Sequence, residues 1–217
     1  MNIPDTVNIL GTEYKIIKTD KNDSIFEDSN SMCVACKDDK KIFIAAEETC
    51  DSIIKNSLIN CIIRMFLYES GIHSNSIDDW AINGEMFGWM ASQFDKISYV
   101  IKKFDKLQKD LTEIRILGVK YKILYCENTS LDSEFSSNSN TSAYIDYYKK
   151  NIVVKKESDN FKYFLRSTIL HEVIHGFLFE SGLGEVSIND WAENEEMVDW
   201  FALQFEKIGK VVDTIRQ

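Results

Sequence analysis

Residues 69–97 of this 217-residue chain return without a gap at 180–208. Glu69-Ser70-Gly71, Asp79-Trp80-Ala81, Asn83, Glu85-Met86, Trp89, Ala91, Gln93-Phe94 and Lys96-Ile97 reappear as Glu180-Ser181-Gly182, Asp190-Trp191-Ala192, Asn194, Glu196-Met197, Trp200, Ala202, Gln204-Phe205 and Lys207-Ile208, a shift of 111 positions. The match extends back through Phe66-Leu67 onto Phe177-Leu178. Nearer the start, Ile9-Leu10-Gly11 and Tyr14-Lys15-Ile16 return as Ile116-Leu117-Gly118 and Tyr121-Lys122-Ile123, shifted by 107, so a short length difference lies between the two blocks. Such a chain reads as a tandem duplication, and it must fold as two related units. The repeats run over 1–108 and 109–217 and share the acidic charge evenly. No Gly/Ser/Pro-rich linker separates them, so they are expected to pack together.

Each repeat reads as short strands followed by two helices, an α+β arrangement of antiparallel strands. In the second repeat, Ile114–Leu124 is β-type sequence around Gly118, predicting a tight hairpin. Glu127–Ser142 is a Ser/Asn-rich polar loop. Ala143–Tyr148 and Ile152–Val154 are short strands joined by Lys149-Lys150-Asn151. Ser158-Asp159 offer N-cap oxygens for a helix whose apolar residues Phe161, Phe164, Leu165, Ile169 and Val173 keep a 3.6 period. Gly182 ends it, as Gly71 does in the first repeat. The last helix is expected to start near Asn189-Asp190 and run towards Ile215.

Formal charge narrows the function classes. Lys and Arg number 25 against 35 Asp and Glu, a net charge of −10, which disfavours nucleic-acid backbones and anionic membrane surfaces. No apolar run reaches the ~18 residues needed to span a bilayer. Met1–Leu10 carries Asp5 without a basic cluster and does not read as a signal peptide. Five Cys without framework spacing suggest reduced thiols and a cytoplasmic setting.

Of three His in the chain, two stand four residues apart in His171-Glu172-Val173-Ile174-His175. On a helix this HExxH spacing puts both imidazoles on one face, able to bind one metal ion, with Glu172 beside them as a general base. Zn2+ is the ion that suits this chemistry, polarising a carbonyl and acidifying water. A pair of helical His without a metal is the plainer alternative; apolar Val173, Ile174, Phe177 and Leu178 around the motif argue against it.

A catalytic zinc needs a third protein ligand, and Glu193, Glu195, Glu196 and Asp199 are the candidates downstream. The duplication chooses among them. His171, Glu172 and His175 fall on Asn60, Cys61 and Arg64 of the first repeat, which has lost the motif. Glu195 falls on Gly84 and Asp199 on Gly88, whereas Glu196 is retained as Glu85 and groups with the scaffold. Helix phase puts Glu195 with Val198, Ala202 and Phe205, and leaves Glu193 as an N-terminal charge that favours the helix dipole. Glu195 is therefore the expected ligand. Asp199, one turn on, is placed to accept a hydrogen bond from His171 and fix its tautomer; a solvated helix charge is its plainer reading.

His171-Glu172-x-x-His175 followed by Asn194-Glu195-x-x-x-Asp199 resembles the HExxH…NExxxD pattern of gluzincin metallopeptidases. The small size and the Asp199-Trp200-Phe201-Ala202 stretch are most similar to the ImmA/IrrE-type metallopeptidases of phages and mobile elements, with Val198 where that family usually has Ala. The resemblance covers about residues 112–210. It implies a zincin-like fold, zinc on His171, His175 and Glu195, Glu172 as base, Asp199 as the outer carboxylate, and narrow specificity for a protein or peptide substrate. The first repeat resembles the same family with its metal set erased.

Other residues invite weaker readings. Cys33-x-x-Cys36 with Cys50 and Cys61 can be drawn as a four-thiol zinc site, but strand alternation separates Cys33 from Cys36 and buried or free thiols fit better. His73 follows a helix stop and reads as a loop residue. Trp80/Trp191, Trp89/Trp200, Met86/Met197 and Phe94/Phe205 read as core or inter-repeat packing. Tyr144, Tyr147 and Tyr148 line a strand edge that can hold an extended substrate, and one of them can stabilise a transition state. Three functions remain open: a zinc metallopeptidase, a non-proteolytic binding protein or inhibitor acting through its acidic surface, and a structural zinc closed by a fourth protein ligand.

Overall fold

The structure is a computed structural model that describes residues 3–27, 31–45, 50–106, 112–127, 129–137, 140–156 and 161–215. The chain divides into two compact units: Met1–Phe94 with Gln204–Gln217, and Asp95–Leu203. Position 108/109, the repeat boundary read from sequence, lies outside the described residues.

The first unit opens with β1 (Thr6–Ile9), β2 (Thr12–Thr19), β3 (Cys33–Cys36) and β4 (Lys41–Ala45), followed by α1 (Asp51–Glu69). After two 3-10 turns, α2 (Gly84–Lys106) begins. The second set has the same order: β5 (Glu113–Ile116), β6 (Val119–Cys126), a short α3 (Ser133–Ser137), β7 (Ala143–Asp146), β8 (Asn151–Lys155), α4 (Phe161–Glu180), a one-turn α5 (Leu183–Val186) and α6 (Glu195–Thr214). The sheet orders are β1-β2-β4-β3 and β5-β6-β8-β7. The α+β class is as expected, but the sheets are mixed. β2 pairs with β4, and β6 with β8, in parallel. The connection between β6 and β7 carries the chain past the sheet, so the β7–β8 hairpin returns with β8 inside and β7 at the edge.

Hairpins sit where the sequence placed them. Leu117 and Gly118 both have positive φ, 47° and 91°, the type I′ geometry whose twist matches the strands. Alternation buries Ile114, Ile116, Tyr121 and Ile123 on one face, and α4 packs on the sheet with Gly176 facing Ile116 and Ile145. In the first unit α1 covers Val7, Ile9, Tyr14, Ile42 and Ile44 in the same way. Phe94 and Phe205 stack within the first unit, centroids 4.5 Å apart and planes 7° from parallel.

Other expectations need correction as well. Glu127–Ser142 is not simply a loop: it contains a 3-10 turn (Thr129–Leu131) and α3, whose N-terminal amides donate to Asp132 and whose Phe135 is buried. The last helix starts at Glu195, not near Asn189-Asp190. Those two residues adopt left-handed φ, 58° and 52°, in a 3-10 turn (Ile188–Glu193), a conformation that short polar side chains tolerate best. Asn194 then caps the helix, its Oδ1 accepting the Met197 N–H at 3.0 Å. Trp80 and Trp191 are buried in these 3-10 turns rather than on the following helices. The expected Ser158-Asp159 cap lies outside the described residues, as do the side chains of Phe161 and Phe164.

Each unit contains one polar tie between sheet and helix end. Glu180 accepts from Tyr121 Oη at 2.5 Å and from Lys150 Nζ at 2.6 Å. Glu69 accepts from Tyr14 Oη at 2.5 Å and Lys40 Nζ at 2.8 Å. Burial disfavours the charged form of both carboxylates, but their lysine and tyrosine partners outweigh it and hold each pKa below the usual glutamate value. A depressed folded pKa gives stability that is full above the unfolded value near 4.5 and is lost as pH falls through the folded value. Melting followed by circular dichroism should therefore show a loss of stability below that pH, with a shallower loss in Glu69→Gln and Glu180→Gln. Asn194→Ala should cost about 1 kcal/mol of stability by denaturant titration, the ordinary worth of an N-cap.

Candidate metal centre

The second unit brings His171, His175 and Glu195 together. His171 and His175 lie one turn apart on α4, and Glu195 is the first residue of α6. His171 Nε2 and His175 Nε2 are 3.0 Å apart. Glu195 Oε2 is 3.2 Å from His171 Nε2, and Glu195 Oε1 is 3.4 Å from His175 Nε2. Four donors bound tetrahedrally to zinc at ~2.0–2.1 Å stand about 3.3 Å apart, so this donor triangle fits zinc without rearrangement. Among the described residues these three alone form a group of metal-donor side chains. Three protein donors leave a tetrahedral ion one open position, as catalytic zinc sites do.

Helix geometry explains the convergence. A spacing of four residues stacks the imidazoles on one face of α4. Gly176 lets α4 approach the sheet: a Cβ there would stand 2.5 Å from Ile116 Cδ1 and 3.1 Å from Ile145 Cδ1. The Asn194 cap fixes the register of α6 and with it the position of Glu195. Glu193, outside α6 at the end of the 3-10 turn, does not join the donors.

His171 Nδ1 is 2.8 Å from Asp199 Oδ1. A proton on Nδ1 donates to this carboxylate and leaves the Nε2 lone pair facing His175 and Glu195. Burial lowers the pKa of His171, but the carboxylates of Glu195, Glu172 and Asp199 outweigh it and raise the net value. Contact with both imidazoles holds Glu195 far below the ordinary carboxylate range, more than offsetting its own desolvation. A cluster this rich in lone pairs and negative charge attracts a cation. His171 and His175 side chains are 19% and 12% exposed, whereas Glu195 and Asp199 are 69% and 68% exposed, so the donors sit at the floor and lip of an open cleft.

That cleft has a volume of about 780 Å³ and is walled by Asn140–Ile145, Tyr147, α4 and the first turns of α6. Glu172 lines it while being only 6% exposed. Burial drives the Glu172 pKa up, against the pull of the two His. A carboxyl raised in this way is poised to exchange a proton nearer neutrality.

The three tyrosines part company here. Tyr148 is 92% exposed and does not line the cleft. Tyr144 lines it but donates to Asp132 at 2.9 Å. Tyr147 lines it stacked on Phe179, with centroids 4.2 Å apart. Burial, then the charges of Glu172, Glu195 and Glu193, push the Tyr147 phenol up to about 12, so it stays protonated and able to donate. Asn140, Thr141, Ser142 and Leu203 also line the cleft; no periodicity in the sequence marked them.

Among its described residues the first unit has no equivalent donors. Asn60, Cys61 and Arg64 occupy the α1 positions that match His171, Glu172 and His175, and Arg64 Nε donates to Asn60 Oδ1 at 2.9 Å. Its cysteines are free thiols, with Cys33 and Cys61 buried and Cys50 exposed. They form no metal-donor group among the described residues, which sets aside the four-thiol reading. No helix among the described residues is long and apolar enough to cross a membrane. A scan against protein-family models and searches among curated proteins and solved structures give no match to this chain.

Proposed function

We propose that the chain is a zinc-dependent metallopeptidase, built as a tandem duplication of a small zincin-like unit in which the second repeat carries the chemistry. The observation that carries this reading is the triangle of His171, His175 and Glu195 donor atoms beside the buried carboxyl of Glu172. Zinc, when bound, supplies Lewis acidity that polarises a carbonyl and acidifies water.

The protein's own groups do the rest. Glu172 takes a proton from the attacking water and delivers it to the leaving amine. Asp199 holds His171 in the tautomer whose Nε2 is a ligand. Tyr147, kept protonated, donates to the carbonyl oxygen as negative charge builds on it. Edge strand β7 accepts an extended peptide by strand addition, which positions the scissile bond over α4. The free thiols are compatible with a cytoplasmic peptide or protein substrate; the acidic charge makes direct nucleic-acid binding unfavourable.

The test is metal content measured together with peptide-bond cleavage. Purified chain should hold about one zinc. Glu172→Gln should keep that zinc while abolishing the new peptide N-termini that wild-type protein generates in a cell lysate. Metal-free protein after zinc loading, or unchanged cleavage by Glu172→Gln, would refute the proposal. Asp199→Asn should retain the fold but weaken zinc affinity by roughly 10–100-fold in a chelator competition, the usual worth of an outer carboxylate on a ligand histidine.

A further inference from the structure

A second cleft, of about 700 Å³, opens in the first unit between β3 and α1. Its lining includes Cys33, Lys37, Asn60, Cys61, Arg64 and Tyr68. Asn60, Cys61 and Arg64 match His171, Glu172 and His175, and by strand register Cys33 and Lys37 match Ala143 and Tyr147. The cleft of the peptidase site thus persists where its chemistry has gone.

Its new chemistry is coherent. In the second unit the cleft gathers donors suited to a cation; in the first, the matching positions carry a cation of their own, the exposed guanidinium of Arg64. Arg64 is held on two sides, by the Nε–H bond to Asn60 and by the Phe87 ring 4.5 Å from its guanidinium carbon. These contacts fix the plane and leave the Nη donors without a carboxylate partner among the described residues. Lys37 Nζ lies 4.9 Å from the centroid of Tyr68, adding a second positive charge to the wall. The acids on the lining, Asp38 and Asp39, belong to the β3–β4 turn, and Asp39 is 65% exposed and 3.7 Å from Lys41 Nζ. A fixed guanidinium with free Nη donors matches the two oxygens of a carboxylate.

Among the described residues no strand pairs with the outer edge of β3. β3 ends its sheet, and the Ala45 N–H to Met32 O bond sets the alternation, so Ala35 turns its N–H and C=O away from β4. An extended chain can add there. Cys61 stands where Glu172 stands in the other repeat, so that position offers no carboxylate base.

We infer that this first-unit cleft is a non-hydrolytic peptide-binding site, which takes an extended segment along β3 and pairs an acidic side chain of that segment with Arg64. The site is independent of zinc and of cleavage in the second unit, and its test is built to show this. Full-length Glu172→Gln protein, stripped of metal with a chelator, is titrated with acetylated, amidated hexapeptide mixtures that differ only in having Glu or Gln fixed at the third position. Amide and arginine Nε–H resonances are followed by NMR. Saturable shifts at Ala35 and at the Arg64 side chain are expected, with the Glu mixture binding at least tenfold more tightly than the Gln mixture. Arg64→Gln should remove that preference while leaving distant resonances in place, and Arg64→Lys should recover only part of it. Equal binding of the two mixtures, a preference that survives Arg64→Gln, shifts confined to the Tyr144–Tyr147 wall, or no shifts at millimolar peptide would each overturn the inference. The Glu-against-Gln comparison on unsubstituted Arg64 decides the matter even if the Arg64 variants fold poorly.

Discussion

The start of α6 governs the second unit. Asn194 closes the first turn through its side-chain oxygen, and that register sets Glu195 against the two imidazoles and Asp199, one turn later, against His171 Nδ1. Composition alone would let this helix begin near Asn189-Asp190. The preceding 3-10 turn prevents that start by placing Asn189 and Asp190 in left-handed backbone, and the Ser187 hydroxyl accepts the Ala192 N–H at 3.3 Å to hold the turn. The same turn and cap occur before α2, where Asp78 and Asp79 are left-handed and Asn83 Oδ1 accepts from Met86 N at 3.1 Å. The register was thus available in both repeats, but only one has acidic residues at the two positions that it presents.

The contrast between repeats separates scaffold from chemistry. Tyr14/Tyr121, Lys40/Lys150 and Glu69/Glu180 make the same polar tie in each unit, and the hairpins, helix ends and buried tryptophans also recur. At the site the two differ: Asn60, Cys61, Arg64, Gly84 and Gly88 stand where His171, Glu172, His175, Glu195 and Asp199 stand. Zinc chemistry needs a complete donor set, whereas a packing position tolerates little change of shape.

Sequence reasoning reached the donor set because its signals are local or internal. The i, i+4 histidines need only helical periodicity, and the Gly84 and Gly88 counterparts of Glu195 and Asp199 marked those two acids as belonging with the histidines. Leu117-Gly118 announced its hairpin through turn chemistry. Other features were not legible. Asn189-Asp190 has the composition of a helix cap, and only the backbone reveals that it forms a left-handed turn. The parallel pairing of β6 with β8 depends on how the chain crosses over, which alternation does not encode. Tyr144, Tyr147 and Tyr148 share one strand propensity, and their different fates follow from Asp132, Phe179 and solvent, contacts distant in sequence.

The proposed function requires one zinc ion shared by three named side chains with one position left open. Anomalous diffraction from crystals of the zinc-loaded protein, recorded on both sides of the zinc edge, tests it most directly. One strong zinc peak is expected within about 2.0–2.2 Å of His171 Nε2, His175 Nε2 and a Glu195 oxygen, with no fourth protein ligand. A peak elsewhere, a fourth protein ligand closing the site, or no peak in zinc-loaded crystals would contradict it.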